Sequence, residues 1–200
     1  MTTSEKYLLS FTAAGLMINE SVRIAEEYLK LGDWDSVNQA YKEKNLLQSR
    51  TTSRSQRVFQ EIKKRLRILS KHQIQALVDG SFEEQKQILW FIVCKRYQFV
   101  HEFAIEVIHE KFLSMKSGVD DVDFDGFFIR KADWHPELNE ITPSTKTKLK
   151  TVLFRMMREA GILTQTNEII PSLPSGRVVD LIKNDAMIGL DIFPMYTEKL

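Results

Sequence analysis

Seven consecutive apolar residues, Ile88-Leu89-Trp90-Phe91-Ile92-Val93-Cys94, constrain this chain more than any other stretch. A helix through such a run has no polar face, so it must be covered on all sides. Lys86 and Lys95 bracket the run far inside the roughly 18 apolar residues that a membrane span needs, so the cover is protein and not lipid. Two long apolar helices, about Phe82 to Lys95 and Tyr97 to Met115, are therefore expected to form the most buried part of the molecule. Cys94, the single cysteine, lies within the run; it can form no intrachain disulfide and reads as a small buried hydrophobe in a reducing compartment. With 43% hydrophobic and 28% charged residues over 200 positions, the chain can bury a core without metal or disulfide. The N-terminal apolar patch has neither the basic lead nor the small-residue cleavage site of a signal peptide, which points to a cytoplasmic protein.

Helical periodicity runs through the first two thirds. Val22, Ala25 and Leu29 share a stripe over about Asn19 to Leu31, and Gly32 follows as a helix-terminating glycine. Asp33 to Ser36 supply caps for a second helix carrying Val37, Ala40 and Tyr41. Val58, Phe59, Ile62, Leu66 and Leu69 recur at helical spacing, giving a third helix over about Ser53 to Leu69. Near Ser117-Gly118 the composition turns acidic and turn-rich, which places a domain boundary between 1–116 and 117–200. Beyond it a short helix, about Phe124 to Trp134, stops at His135-Pro136. Thr142-Pro143-Ser144 then opens a strong helix through Ala160. Ile162-Leu163-Thr164 and Glu168-Ile169-Ile170 flank Gln165-Thr166-Asn167, the length of a small β-hairpin. Three helices and a hairpin are the order of a winged helix-turn-helix. The expected fold is mainly α: an N-terminal helical bundle followed by a winged-helix-like domain, with a last helix over about Ser175 to Lys183.

A net charge of +1 argues at first against nucleic acid, but it averages over a divided chain. From Arg50 to Lys71 stand Arg50, Arg54, Arg57, Lys63, Lys64, Arg65, Arg67 and Lys71 against the single acid Glu61, a local net of +7. From Lys146 to Arg158 stand Lys146, Lys148, Lys150, Arg155 and Arg158 with no acid. The two stretches carry +12, which leaves −11 for the remainder. At about 100° per residue, Arg57, Lys64, Arg67 and Lys71 fall on one stripe of the third helix, away from its apolar side. On the helix after Ser144, residues Thr147, Thr151, Arg155 and Arg158 point outward, Lys148 and Phe154 flank that arc, and Lys146 and Lys150 sit nearer the core boundary. Hydroxyls that reach phosphate and arginines that grip phosphate or guanine suit a major groove. The candidate DNA-contacting residues are therefore Arg50, Arg54, Arg57, Lys63, Lys64, Arg67 and Lys71, and Ser144, Lys146, Thr147, Lys148, Lys150, Thr151, Arg155 and Arg158.

Other constellations are weaker. Asp121-Val122-Asp123-Phe124-Asp125-Gly126 opens like a calcium-binding EF-hand loop, but Ala132 stands where that loop needs a bidentate glutamate, so an acidic helix N-terminus is the better reading. Glu106 and His109 form one E-x-x-H pair where a di-iron bundle needs two. His101, Glu102 and Glu110 complete a polar face that suits solvent or an interhelical contact. No nucleophile–base–oxyanion set, phosphate loop or zinc spacing occurs, which argues against an enzyme and for no cofactor and no metal.

Thr12-Ala13-Ala14-Gly15-Leu16 with Glu20-Ser21, then Asn45-Leu46-Leu47-Gln48 with Arg50, Arg57 and Arg65-Leu66, and far downstream Ser144-Thr145 and Arg158-Glu159-Ala160-Gly161-Ile162-Leu163, resemble the BrxA family of BREX bacteriophage-exclusion systems. The resemblance covers most of the chain and rests on the order and spacing of short motifs. It implies a small helical protein with an N-terminal part similar to the antitermination factor NusB and a C-terminal winged-helix-like part, binding double-stranded DNA in a phage-defence system. Partners would be double-stranded DNA and other BREX proteins, with no membrane and no small-molecule substrate. Two alternatives remain: a scaffold whose basic faces dock acidic partner proteins, and an RNA-binding protein in keeping with the NusB likeness.

Overall fold

The computed structural model describes residues 6–44 and 52–196. Its helices are α1 (Ile18–Leu31), α2 (Trp34–Lys44), α3 (Thr52–Leu66), α4 (Lys71–Asp79), α5 (Phe82–Arg96), α6 (98–113), α7 (Asp121–Ala132), α8 (Pro143–Glu159) and α9 (Gly176–Lys183). Ser81 starts α5 with a capping box, its hydroxyl accepting from Glu84 N while Glu84 accepts from Ser81 N. Every residue from Ile88 to Cys94 is buried, and Trp90 donates its indole N–H to Ile192 O at 2.9 Å in the chain's last 3-10 turn, Leu190–Ile192. Tyr97 breaks the path between α5 and α6. Within α6 the stretch Ala104–His109 is wound as a π-helix.

Short local signals explain boundaries that apolar spacing misses. The third helix ends at Leu66, three residues before its expected limit, because Ser70 caps a separate helix, α4, through a capping box with Gln73. Lys71 consequently opens α4 and does not extend the stripe of α3. Asp120 caps α7 by accepting from Val122 N and Asp123 N, so that helix begins at Asp121, three residues before the expected Phe124. Gly32, with φ +82°, and Thr142, which accepts from Thr145 N ahead of Pro143, close α1 and open α8 where the sequence places them.

An N-terminal strap ties the helices together. Phe11 and Leu16 are fully buried, and the strap's carbonyls face a buried guanidinium. Arg65 donates Nη1 to Gly15 O at 2.6 Å and Nη2 to Ala14 O at 3.1 Å, while its Nε meets Glu61 Oε1 at 2.9 Å. Tyr97 donates its hydroxyl to the same Glu61 oxygen. On the strap's other edge, Leu16 N donates to Glu159 Oε2 of α8 at 2.6 Å. A Cβ on Gly15 would lie 2.5 Å from that oxygen, so a larger residue there would push the Glu159 carboxylate off its present position.

The C-terminal half packs on the same core. Phe103 of α6 stands edge-on to Phe127 of α7 at 5.1 Å and to Phe154 of α8 at 6.2 Å, and the strap's Tyr7 meets Phe99 at 5.4 Å. The buried hydrophobic cluster thus runs across the 116/117 junction. β-structure is minimal. Antiparallel bridges join Leu163 to Ile169 and Gly118 to Glu168, with Ile170 N to Ile162 O at 2.8 Å and Val119 N to Asn167 O at 3.0 Å. Segment 117–119 therefore lies along the return arm of the expected hairpin.

Removing Arg65 leaves Glu61 buried without its cation and strips donors from the Gly15 and Ala14 carbonyls of the strap, so Arg65→Met is expected to cost about 3–5 kcal/mol in urea unfolding. Arg65→Met combined with Glu61→Met should recover part of that loss, and a single variant within about 1 kcal/mol of the parent would contradict the role assigned to the network. A second expectation concerns acid. Burial alone would raise the carboxyls of Glu102 and Asp185, yet hydrogen bonds from Lys131, Tyr7 and Gln98 to the first, and from Lys95 to the second, hold both below the ordinary carboxylate range. A depressed folded-state pKa stabilises above the ordinary range and is lost as pH falls through the folded value. Thermal stability should therefore drop below about pH 5, and Glu102→Gln with Asp185→Asn should flatten that drop.

Candidate nucleic-acid interface

The outward side of α8 follows from its inward one. Leu149, Val152, Leu153, Met156 and Met157 bury one side, and Phe154, expected to flank the free arc, is buried as well. Thr147, Lys148, Thr151 and Arg155 remain exposed, as does Ser144 near the start. The two threonine hydroxyls bond back into their own helix, Thr147 Oγ1 to Pro143 O at 3.0 Å and Thr151 Oγ1 to Thr147 O at 2.9 Å. Their protons are committed, and each oxygen keeps acceptor capacity only. Hydroxyl donation to phosphate, expected from the sequence, is thus opposed by local geometry.

Two of the α8 lysines are neutralised by α7. Lys146 Nζ lies 2.7 Å from Asp125 Oδ1 and 4.7 Å from the Phe128 ring centre; Lys150 Nζ lies 2.7 Å from Asp121 Oδ2. Asp121 and Asp125 are four residues apart, as are Lys146 and Lys150, and the crossed order of the pairs makes the two helices antiparallel. Asp123, between them in sequence, turns to Lys111 of α6. The motif that opens like a calcium loop is a capped helix start whose three carboxylates each hold a lysine from another helix. Sequence inspection missed this ladder because the partners lie 12 to 29 residues apart, on different helices. The matching i, i+4 spacing of acids and lysines was its one available signal.

Arg155 and Arg158 differ in setting. Arg155 is exposed, with its Nε 3.7 Å from Glu159 Oε1. Arg158, expected on the free face, is half-buried and donates Nη1 to Asn167 Oδ1 at 2.7 Å. Asn167 has φ +64° and shapes the turn between the bridged arms. Arg158 thereby fastens that turn to α8, leaving Gln165 and Thr166 exposed at its tip.

On and beside α3, Arg57, Lys64 and Arg67 are exposed, as the helical stripe requires, and Lys71 is exposed at the start of α4. Lys63 is half-buried and donates to Trp34 O at 3.2 Å, which directs it to the α2 start. Arg65, one of the eight cations between Arg50 and Lys71, is the core residue that holds the strap and adds nothing to the surface charge. Arg50 lies outside the described residues, and so does the side chain of Arg54. Arg57, Lys64, Arg67, Lys71 and Lys148 are left without an ion-pair partner among the described residues.

Elsewhere, Glu106 faces Lys131 while His109 is buried with Nδ1 2.9 Å from Phe193 O, so the E-x-x-H residues point to different neighbours. Burial pushes the Cys94 thiol well above its ordinary range, in keeping with a packing role. Among the described residues no group of three or more His, Cys, Asp or Glu gathers to hold a metal, and no helix is long and apolar enough to cross a membrane.

Known proteins share both the sequence and the shape. A crystal structure of an uncharacterized protein from Magnetospirillum magneticum superposes with a TM-score of 0.79 at 22% identity, over 90% of this chain and 93% of that one, which establishes a shared fold. A BREX protein BrxA of Bacillus cereus (strain H3081.97) is 32% identical over 119 residues, 60% of this chain and 60% of the relative, so the match spans less than two thirds of that relative's length. A second, BREX protein BrxA of Escherichia coli O9:H4 (strain HS), is 26% identical over 146 residues, 73% of this chain and 68% of its own. The family profile for BrxA matches residues 5–186, and the chain belongs to the BrxA family.

Proposed function

We propose that this chain is a non-enzymatic, double-stranded DNA-binding component of a BREX phage-defence system, acting in the cytoplasm. The observation that carries the reading is the exposed side of α8, where Lys148 and Arg155 stand beside Thr147 and Thr151. Support comes from the order in which the chain visits this unit: the short arm 117–119, α7, α8, then the bridged arms around Gln165 to Asn167. That is the succession of a winged helix, with α8 in the position of the groove-reading helix and the Arg158-fastened turn as the wing. The helical N-terminal part, the portion with the NusB likeness, adds Arg57, Lys64, Arg67 and Lys71 as a second cationic surface. Arg50, Arg54, Lys63, Ser144, Lys146 and Lys150 complete the proposed contact set. Lys146 and Lys150 would have to exchange an aspartate for phosphate, which exposed ion pairs worth about 0.2–1 kcal/mol permit. Lysine and arginine contacts of this kind are made to backbone phosphates, so binding is expected to tolerate sequence.

A second reading, docking of other BREX proteins, rests on α7. Val122 and Ile129 lie seven residues apart on its outer side with 77% and 61% of their surface exposed, and Trp134 just beyond is 79% exposed.

Duplex binding across a salt series separates the two. Removing one cation from a phosphate should lower the slope of log K against log salt by about one, so Lys148→Gln with Arg155→Gln should flatten it by about two. Val122→Ser with Ile129→Ser should leave it unchanged. Absence of binding at about 50 mM salt, or a slope indifferent to the α8 changes, would refute the DNA reading. An equal length of single-stranded RNA that competes better than duplex would favour RNA instead. Arg158→Gln should weaken binding while altering the slope by less than Lys148→Gln does, because Arg158 holds the wing and spares the phosphates.

A further inference from the structure

A further cationic site lies away from α3 and α8. A cavity of about 390 Å³ opens where the N-terminal strap crosses the α5–α6 junction, lined by Lys6 and Leu8 of the strap, Cys94, Lys95 and Arg96 at the end of α5, Gln98 and His101 of α6, and Met187 and Ile188 of the C-terminal loop. Three cations, Lys6, Lys95 and Arg96, stand in this lining, and among the described residues no carboxylate belongs to it. The nearby acids have other partners or lie beside it. Asp185 pairs with Lys95, and Glu102 holds Lys131, Tyr7 and Gln98. Asp191 is close enough to act electrostatically on His101 and Cys94 without lining the space. Lys95 is thus compensated, whereas Lys6 and Arg96 are left with no ion pair among the described residues.

Arg96 is the informative member. Its Nε is buried and has no hydrogen-bond partner. A buried guanidinium donor without an acceptor is costly, and proteins retain few of them. Its guanidinium carbon lies 5.6 Å from the centre of the Tyr97 ring, and that ring is fixed by its hydroxyl bond to the buried Glu61. Nε itself has no accessible surface, so a phosphoryl group would be met by the terminal nitrogens of the guanidinium, which carry no hydrogen bond among the described residues. At the rim, Leu8 and Met187 are large apolar side chains with 54% and 72% of their surface exposed. Cation and apolar surface side by side suit a ligand with a phosphate at one end and a flat or apolar body at the other.

We propose that this cavity binds a small phosphate ester of mononucleotide size, with Arg96 and Lys6 on the phosphate and Leu8, Met187 and Ile188 against the nucleoside. The volume falls at the lower end of the roughly 300–1,000 Å³ usual for such sites. The site is distinct from the proposed duplex surface, since none of its lining residues stands on α3 or α8.

Calorimetric titration of the full chain with adenosine monophosphate tests this, with adenosine, inorganic phosphate and sulfate as parallel probes. Saturable binding of the nucleotide is expected, about tenfold tighter than that of adenosine or of either inorganic anion, and Arg96→Gln should weaken it about tenfold or more. Lys6→Gln and Met187→Ser, both at the exposed rim, should each weaken it severalfold, and they decide the matter should Arg96→Gln fail to fold. Duplex affinity should be unchanged in all three, so failure of this site and failure of the DNA reading are separately visible. Nucleotide binding no tighter than sulfate, or binding indifferent to the rim and Arg96 substitutions, would overturn the proposal.

Discussion

The Arg65 guanidinium is the contact on which the arrangement of the molecule depends. An arginine with 2% of its surface exposed is tolerable only when its donors are met, and here they are met by Glu61 on its own helix and by backbone carbonyls of the strap. The carbonyls fix where the strap runs. Once fixed, the strap offers Leu16 N to Glu159, and α8 is thereby placed relative to α3. Tyr97 brings the α5–α6 junction to the same carboxylate as Arg65. Three long elements are thus registered through one ion pair and a short strap, and the missing side chain at Gly15 leaves room for the Glu159 carboxylate to reach it.

Electrostatics outside the core follows from what these packed helices bring together. Antiparallel packing of α7 on α8 puts Asp121 and Asp125 opposite Lys150 and Lys146, so the most acidic stretch of the sequence lies against one of the two most basic. Part of the opposite charge is thus cancelled locally by contact, and not all of it is kept on separate surfaces. Within the two basic stretches, the cations left uncompensated among the described residues are fewer than the sequence total, and they stand on outer faces of α3 and α8 and at the start of α4. Local fields of this kind govern association more than net charge does.

Much of this was legible in the sequence wherever the cause was local. Gly32, the Thr142-Pro143 start and the seven-residue apolar run each carry their structural meaning within a few residues. Helix α4 was overlooked although Ser70 and Gln73 spell a capping box, because the apolar spacing of α3 continues smoothly through Leu69. Long-range pairing was the harder part. No periodicity separates Arg65 from Lys64 beside it, since burial of the guanidinium depends on carbonyls about 50 residues earlier. Arg158 likewise reads as a surface cation until Asn167 is folded back against it. Helical spacing therefore located the exposed basic residues of α3 and α8, and misplaced those whose partners come from another element.

The same reasoning explains why the exposed side of α8 is sparse. A helix that must hold a strap with Glu159, a turn with Arg158 and a neighbouring helix with Lys146 and Lys150 has few polar positions left for a ligand. Lys148 and Arg155 are what remains, with two threonines whose hydroxyl protons are spent on their own backbone. Two cations on one helix neutralise too few phosphates to hold a duplex alone at physiological salt, where non-specific binders use many. The proposed duplex contact would therefore need α3 as well, and the strap that joins α3 to α8 through Arg65 and Glu159 fixes the relation of the two helices. The buried network thus fixes the relation between the two helices that carry the cations of the proposed interface, so loosening the core contact would shift one set of cations relative to the other.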